Sequence, residues 1–153
     1  RLLSRGLGDV YKRQGKKIEN VLSKKTKGIE KIARSIQNME KKTLNKRIKN
    51  YKNKIKNLIE DFDETRLDQE VAMLALKHDI SEELDRIFFH TKTINEELTK
   101  KTSSGKKIDF ILQELFRESN TLAVKIDDSK LKNYALDMKL LVEEMREQAQ
   151  NVE

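Results

Sequence analysis

A row of charged and imidazole side chains recurs at helical spacing in the middle of the chain. At 100° per residue, five polar residues share one narrow stripe, which Glu82 flanks: Asp79, Glu83, Arg86, His90 and Glu97. Carboxylates beside an imidazole can bind a divalent metal ion or transfer a proton. The same i, i+3 and i, i+4 spacing also builds an ordinary ladder of salt bridges on an exposed helix. The spacing alone therefore leaves both interpretations open.

The apolar residues of this segment lie beside the polar stripe and not opposite to it. They are Ile80, Leu84, Ile87, Ile94 and Leu98. We therefore expect the stripe to run along the edge of a buried helix face. His78 lies on another side of the same predicted helix, and we expect it to be a surface residue.

Two later segments carry further polar rows at helical spacing. The first consists of Gln113, Arg117 and Asn120; the second consists of Lys139, Glu143, Arg146, Gln150 and Glu153. Side chains of these types can bind phosphate groups and ribose hydroxyls. A hydrated helix face or a contact between subunits would give the same pattern. A metal–phosphate site needs carboxylates on one side and cations on the other, so we expect Asp79, Glu83 and His90 to converge with Arg117 and with Arg146 or Glu147.

The composition predicts an all-α protein. The chain has 153 residues, 39% of them charged and 36% hydrophobic, with five Gly and no Pro, and such a composition does not favour a sheet sandwich or barrel. The absence of Cys excludes a disulfide framework, a thiolate zinc site and a cysteine nucleophile. No apolar run reaches the roughly 20 residues that cross a bilayer. We expect a soluble, cytoplasmic protein that does not associate with membranes.

The periodicity predicts four helices in three segments. Residues 1–14 differ in composition from the rest, and we interpret them as foreign sequence from read-through at the edge of a gene fragment. Residues 15–62 form a long basic helix of coiled-coil type, whose apolar stripe includes Ile29 and Ile36 and has Lys25 in its one empty place. We expect a skip or bend near residues 41–46, and we expect the helix to protrude and to need a hairpin partner or another subunit. Residues 63–153 form a C-terminal domain of about three helices, the first of which runs from Asp63 to about Thr99, with a loop at residues 100–105 and a turn at residues 127–129.

The charge is distributed unevenly along the chain. Residues 12–57 contain 17 Lys and Arg against three acidic residues, a net charge of +14, whereas residues 58–153 have a net charge of −8. A basic helix of this kind is typical of proteins that bind a polyanion such as RNA or DNA. A solvated lysine-rich face is the alternative.

Several segments together resemble the C-terminal region of the YicC/YloC family of bacterial endoribonucleases. They are residues 68–72 (DQEVA), 79–86 (DISEELDR) with His90, 105–114 (GKKIDFILQE), 117–121 (RESNT) and 145–153 (MREQAQNVE). The resemblance covers about residues 15–153. Family members carry an additional N-terminal domain that is not in this sequence, and without it we expect the chain to be inactive. Four positions depart from the residues usual in the family: Leu76, Phe116, Ala123 and Val124.

The resemblance implies a metal-dependent endoribonuclease that assembles as a homo-oligomer, a hexameric ring, and binds RNA. The implied catalytic residues are His90, Glu83, Asp79, Glu82, Arg117, Arg146 and Glu147. The implied RNA-binding residues are Lys106, Lys107, Arg86, Gln113, Asn120, Gln150 and Asn151. The implied ligands of a divalent cation, Mg²⁺ or Mn²⁺, are Asp79, Glu83 and His90. Other positions that match the family motifs are Glu70, Asp109, Glu114, Glu118 and Gln148. The alternative function is a non-catalytic module for RNA binding or oligomerisation.

Overall fold

The chain folds into five consecutive α-helices. The computed structural model describes the backbone of residues 2–59, 63–100 and 105–150, and the side chains of those from Gly15 onward. The helices are α1 (Leu2–Leu58), α2 (Glu64–Lys77), α3 (Ser81–Thr99), α4 (Gly105–Lys125) and α5 (Ser129–Gln150). No strand occurs in these described ranges. The prediction of an all-α fold, with a long first helix followed by a helical bundle, is confirmed.

The first half of α1 is part of the bundle. Its buried positions follow a 4,3,4,3 spacing: Leu22, Thr26, Ile29, Ala33 and Ile36. The sequence pattern had placed Lys25 on this stripe, but Thr26 occupies the buried position, and its hydroxyl donates to the Leu22 carbonyl at 2.7 Å. Lys25 lies beside the stripe and forms a salt bridge with Glu144 of α5. A buried hydroxyl bonded within its own helix costs less than a buried ammonium group would.

The core joins α1 to three other helices. α1 contacts both α3 and α5, and α4 contacts the same two helices. The fully buried side chains of these helices include Leu84 and Ile87 of α3, Leu112 and Leu115 of α4, and Met138 of α5. Because a stripe of this kind cannot be buried by one helix alone, the four helices stabilise one another.

The second half of α1 extends with little burial. The helix continues through residues 41–46 without interruption, yet beyond Met39 none of its described side chains is buried. α2 contacts α1, and Nζ of Lys52 in α1 lies 3.5 Å from Oδ1 of Asp68 in α2. Leu67 and Val71 are the buried residues of α2. α2 therefore packs against the second half of α1 without burying any of that half's described side chains.

A turn divides the segment that was predicted to form one helix from Asp63 to Thr99. The Asp79 carboxylate accepts a hydrogen bond from the Ser81 amide at 2.9 Å and another from the Ser81 hydroxyl. Short polar side chains compete for backbone groups in this way, and they favour a new helix start over a continuous helix. The predicted count of four helices was therefore wrong by one. The predicted turn before α5 is confirmed, because the Asp128 carboxylate accepts from the amides of Lys130 and Leu131 at 3.0 Å.

We expect Leu22→Ala to destabilise the protein by about 2–5 kcal/mol, because it removes a buried side chain from the centre of the bundle. Leu58→Ala is the matched control on the same helix, since Leu58 is 81% exposed, and it should change the free energy of unfolding by less than about 0.5 kcal/mol. Urea denaturation followed by circular dichroism measures both. Equal losses in the two variants would show that the first half of α1 does not pack as described.

Candidate nucleic-acid interface

The polar stripe of α3 lies against α4, and the two helices run antiparallel. Glu83 near the start of α3 pairs with Lys125 at the end of α4, with 2.7 Å between Nζ and Oε1. Glu97 near the end of α3 pairs with Lys107 near the start of α4 at 3.3 Å. Between them lies a group of charged residues and one imidazole that we call the α3–α4 seam. Its members are Glu83, Arg86, His90, Glu114, Glu118 and Lys125.

Glu83 is the most deeply buried charge of the seam. Its side chain is 3% exposed, and Arg86 Nη2 lies 3.8 Å from the Oε1 atom that Lys125 contacts. Lys125 Nζ also donates to the Asp79 carbonyl at 3.4 Å. The other carboxylate oxygen, Oε2, is buried without a hydrogen-bond partner. A carboxylate in such a place needs cations to offset its desolvation, and Lys125 is the closer of the two that approach it.

Arg86 links α3 to the second buried carboxylate of the seam. Its Nε donates to Glu118 Oε1 at 2.7 Å, and the Glu118 side chain is only 10% exposed. Nη1 lies 3.7 Å from the exposed carboxylate of Glu82. The hydrogen bond to Glu118 raises the pKa of Arg86 above its ordinary value. The guanidinium is therefore held in one orientation across the two helices.

His90 lies half-buried in this environment. Burial lowers the pKa of its imidazole below the ordinary value of 6.5, and the positive charge of Arg86 acts in the same direction. The carboxylates of Glu118 and Glu114 act in the opposite direction without reversing the shift. His90 is therefore neutral near pH 7 and can accept a proton. A neutral imidazole near carboxylates and guanidinium groups is suited to general acid–base chemistry.

The three predicted metal ligands do not form a metal site within this chain. In the described ranges, no three His, Asp or Glu side chains are placed so that they could hold a metal ion. Asp79 caps the start of α3, and its hydrogen bonds with Ser81 lower the pKa of its carboxyl. Glu83 is paired with Lys125, whose ammonium lies where a bound cation would be needed. Asp79, Glu83 and His90 therefore do not fit a metal ion in this arrangement.

Arg146 belongs to a separate group between α4 and α5. Its Nε lies 4.0 Å from Asp109 Oδ1, and Gln113 donates to Asp109 Oδ2 at 3.1 Å. The ring of Phe116 lies under two cations, with the Lys139 ammonium 5.4 Å and the Arg146 guanidinium 5.7 Å from its centroid. The expected convergence of Arg146 with the stripe of α3 is not seen in these contacts.

Arg117 lies closer to the seam. Its side chain is 74% exposed, and Nη1 is 3.7 Å from Glu114 Oε1. The charge of Glu114 acts on His90, so Arg117 is linked to the imidazole through Glu114, whereas the charge of Arg86 acts on His90 directly.

The remaining predicted residues occupy different surroundings. Glu70, Lys106, Glu147 and Gln150 are exposed, and Asn120 and Gln148 are partly exposed. Lys107 forms a salt bridge with the buried carboxylate of Glu97. Asn151 lies outside the described residues.

Two polar residues had a role that the sequence did not reveal. Lys125 was missed, although it follows Glu118 by seven residues and so lies on the same face of α4. His78 was expected on the surface, which is wrong: its side chain is 14% exposed, and Nδ1 lies 2.8 Å from the Lys125 carbonyl. A carbonyl only accepts, so Nδ1 must donate. The expectation treated His78 as part of the same helix as the polar stripe, but the turn at Asp79 separates His78 from α3.

We expect Glu118→Gln to lower the pKa of His90 further. Of the two carboxylates that favour the imidazolium form, Glu118 has the larger effect, and the substitution removes its charge. Glu96→Gln is the control, since Glu96 is an exposed residue of α3, the helix that carries His90. A proton NMR titration of the His90 ring measures the pKa in each variant. An unchanged or raised pKa in Glu118→Gln would contradict the arrangement of the seam.

Most of the chain matches a known protein family. Residues 29–153 match the family model described as endoribonuclease YicC-like, C-terminal. A probable endoribonuclease YicC of Haemophilus influenzae is 45% identical over 93 residues, which are 61% of this chain and 32% of that protein. A probable endoribonuclease YicC of Clostridioides difficile is 34% identical over 157 aligned residues, which cover 96% of this chain and 51% of that protein.

These matches confirm the resemblance found in the sequence motifs. The chain spans about a third and about half of the length of these two relatives. No helix in the described part of the chain is long and apolar enough to cross a membrane. From the extent of the family match, the chain belongs to the YicC-like endoribonuclease family, and its residues 29–153 correspond to that family's C-terminal region.

Proposed function

We propose that this chain is the RNA-binding and catalytic C-terminal part of a YicC-like endoribonuclease, with the α3–α4 seam as the site that cleaves RNA phosphodiester bonds. The observation that carries the proposal is the position of His90, which is half-buried on α3 where the charges of Glu118, Glu114 and Arg86 act on its imidazole. The names of the two relatives support the reaction class, since each is a probable endoribonuclease.

His90 is proposed to act as the general base. A lowered pKa keeps its ring unprotonated near pH 7, so it can take a proton from the attacking hydroxyl as the new bond to phosphorus forms. The bond from phosphorus to the departing ribose oxygen breaks in the same displacement, and that oxygen takes a proton from water and leaves as a hydroxyl. That hydroxyl belongs either to the ribose 2′ position or to water. Attack by the 2′-hydroxyl leaves a 2′,3′-cyclic phosphate, whereas attack by water leaves a linear phosphate. The product end therefore identifies the nucleophile.

Arg117 is proposed to stabilise the negative charge that develops on the phosphate oxygens. Its side chain is 74% exposed, and its Nη1 lies 3.7 Å from Glu114 Oε1. Arg86 is less available, because its Nε is bonded to the buried Glu118 carboxylate. A guanidinium aimed at the phosphate would contribute most when the charge increases in the transition state.

The second half of α1 is proposed to hold the RNA backbone. Six of the eight Lys and Arg residues between Lys41 and Lys56 are exposed, so their charge faces solvent and can neutralise phosphate groups. The helix presents Tyr51 as its single aromatic residue in residues 15–59. Binding by α1 should therefore be electrostatic and independent of base sequence.

A divalent metal requirement and a hexameric assembly are proposals that need separate tests. The predicted ligands Asp79, Glu83 and His90 do not fit a metal ion within one chain, as described above, so no step here depends on one. Cleavage measured with and without EDTA tests the metal requirement, and light scattering tests the hexamer. Salt-dependent RNA binding without cleavage would favour the alternative of a non-catalytic RNA-binding module.

We expect His90→Gln to abolish cleavage while RNA affinity changes less than about threefold, because the substitution removes the base and none of the exposed cations. The assay uses a structured RNA and the protein extended to the full length of the two relatives. His78→Gln is the matched control, since these are the two histidines of the chain and Gln can still donate to the Lys125 carbonyl. Cleavage that persists in His90→Gln at the parent rate would place the chemistry elsewhere.

RNA affinity should fall steeply with salt. If several phosphates are contacted, raising the salt from about 50 to 200 mM should weaken binding by about 100-fold or more. Replacing three exposed lysines of α1 by Gln should make the salt dependence shallower; these are Lys41, Lys46 and Lys49. Three exposed lysines elsewhere serve as the control: Lys77, Lys130 and Lys132. Fluorescence anisotropy of a labelled RNA measures each curve, and equal slopes in the two triple variants would argue against α1 as the binding surface.

A further inference from the structure

An aromatic ring projects into solvent beside the imidazole of the seam. Phe89 of α3 is 64% exposed. The centroids of the Phe89 and His90 rings are 5.8 Å apart, and the ring planes are inclined by 66°, which is an edge-to-face contact. The exposed Phe89 ring is therefore in direct contact with the ring of the proposed general base.

The surroundings of Phe89 separate it from the hydrophobic core. Its neighbours three and four residues away on α3 are polar: Asp85, Arg86, Lys92 and Thr93. Asp85, Arg86 and Lys92 are exposed. Phe89 thus stands as a single aromatic side chain on a charged helix face, in a chain where aromatic residues make up only 5% of the sequence.

Nucleobases stack on exposed aromatic rings, and the bases that can do so are unpaired, because paired bases are already stacked within a duplex. We propose that Phe89 is a stacking platform for an unpaired RNA base and thereby directs cleavage to single-stranded nucleotides. This inference rests on the proposed function. A base stacked on Phe89 would hold its own sugar and phosphate near His90 and Arg117.

The charge around the ring favours RNA over a protein partner. Lys92, an exposed residue three positions from Phe89, and the 74% exposed Arg117 supply the positive charge that a phosphate backbone requires. A specific protein interface needs about 1,000 Å² or more of complementary surface with few charges at its centre. The charged neighbours of Phe89 do not offer an apolar surface of that size.

The test uses Phe89→Leu, which keeps an apolar side chain and removes the aromatic face. Phe110→Leu is the matched control, because Phe110 is a second phenylalanine on the surface, 63% exposed, on α4. Affinity is measured for a single-stranded RNA and for a blunt RNA duplex of the same length. Phe89→Leu should weaken single-strand binding by about 5- to 100-fold and leave duplex binding unchanged, while Phe110→Leu should change neither.

A spectroscopic test uses Phe89→Trp, which keeps the aromatic face. The chain has no Trp, so this residue becomes its sole indole. Its fluorescence should be quenched by the single-stranded RNA and not by the duplex, whereas Phe110→Trp should respond to neither. Quenching that does not differ between the two Trp variants would overturn the proposal.

Three further outcomes are distinct. A change in oligomeric state in Phe89→Leu, seen by light scattering together with an unchanged preference for single strands, would assign Phe89 to a contact between copies and overturn the proposal. If the parent protein binds neither RNA, the proposed function fails and this inference fails with it. If the parent binds RNA and Phe89→Leu behaves like Phe110→Leu, only the stacking proposal fails.

Discussion

Two buried carboxylates of the α3–α4 seam help to determine how α3 packs against α4. A carboxylate removed from water costs several kcal/mol unless a cation offsets the loss of hydration, and each of the two has one at 2.7 Å: Lys125 for Glu83 and Arg86 for Glu118. Sliding one helix by a single turn, about 5.4 Å, would separate both pairs and leave four charges unmatched. The ionic contacts therefore fix the register of two helices whose apolar residues alone would tolerate more than one alignment.

This register places the groups that could act on RNA. With Arg86 opposite Glu118, His90 comes to lie in the field of Glu118 and Glu114, and partial burial keeps it neutral. Arg117, one residue before Glu118 and rotated by 100°, projects into solvent at the edge of the same seam. The buried carboxylates of the seam thus hold the two helices together, whereas Arg117 and the exposed lysines of α1 face solvent.

The fold could be predicted from the sequence to the extent that periodicity determines it. The spacing of Ile29 and Ile36 defined α1, and the Asp128 cap before α5 follows from side-chain chemistry. The break at Asp79 was missed, because an Asp and a Ser two residues apart also occur within helices, and only their hydrogen bonds distinguish the two cases. Lys25 was assigned to the stripe for a related reason: one residue on a helix changes the direction by 100°, and the sequence alone does not show which of Lys25 and Thr26 faces the core.

The candidate site was predictable as a stripe and not as a set of contacts. Helical angles placed Glu83, Arg86 and His90 together at the edge of a buried face, which the structure confirms. They could not identify what lies opposite on another helix, so the pairing of Glu83 with Lys125 was not foreseen. That pairing is also why the carboxylates expected to hold a metal do not converge: a positive charge of the protein already accompanies the most buried one.

The most direct measurement of the central claim is the pH dependence of RNA cleavage, kcat/KM, in the parent protein and in Glu118→Gln. If His90 is the general base and the seam sets its pKa, the acidic limb of the profile should lie below pH 6.5, the ordinary imidazole value. In Glu118→Gln it should move to lower pH by the same amount as the His90 pKa measured by NMR. A limb that stays in place while the His90 pKa moves would show that another group accepts the proton, and it would contradict the assignment of catalysis to the seam.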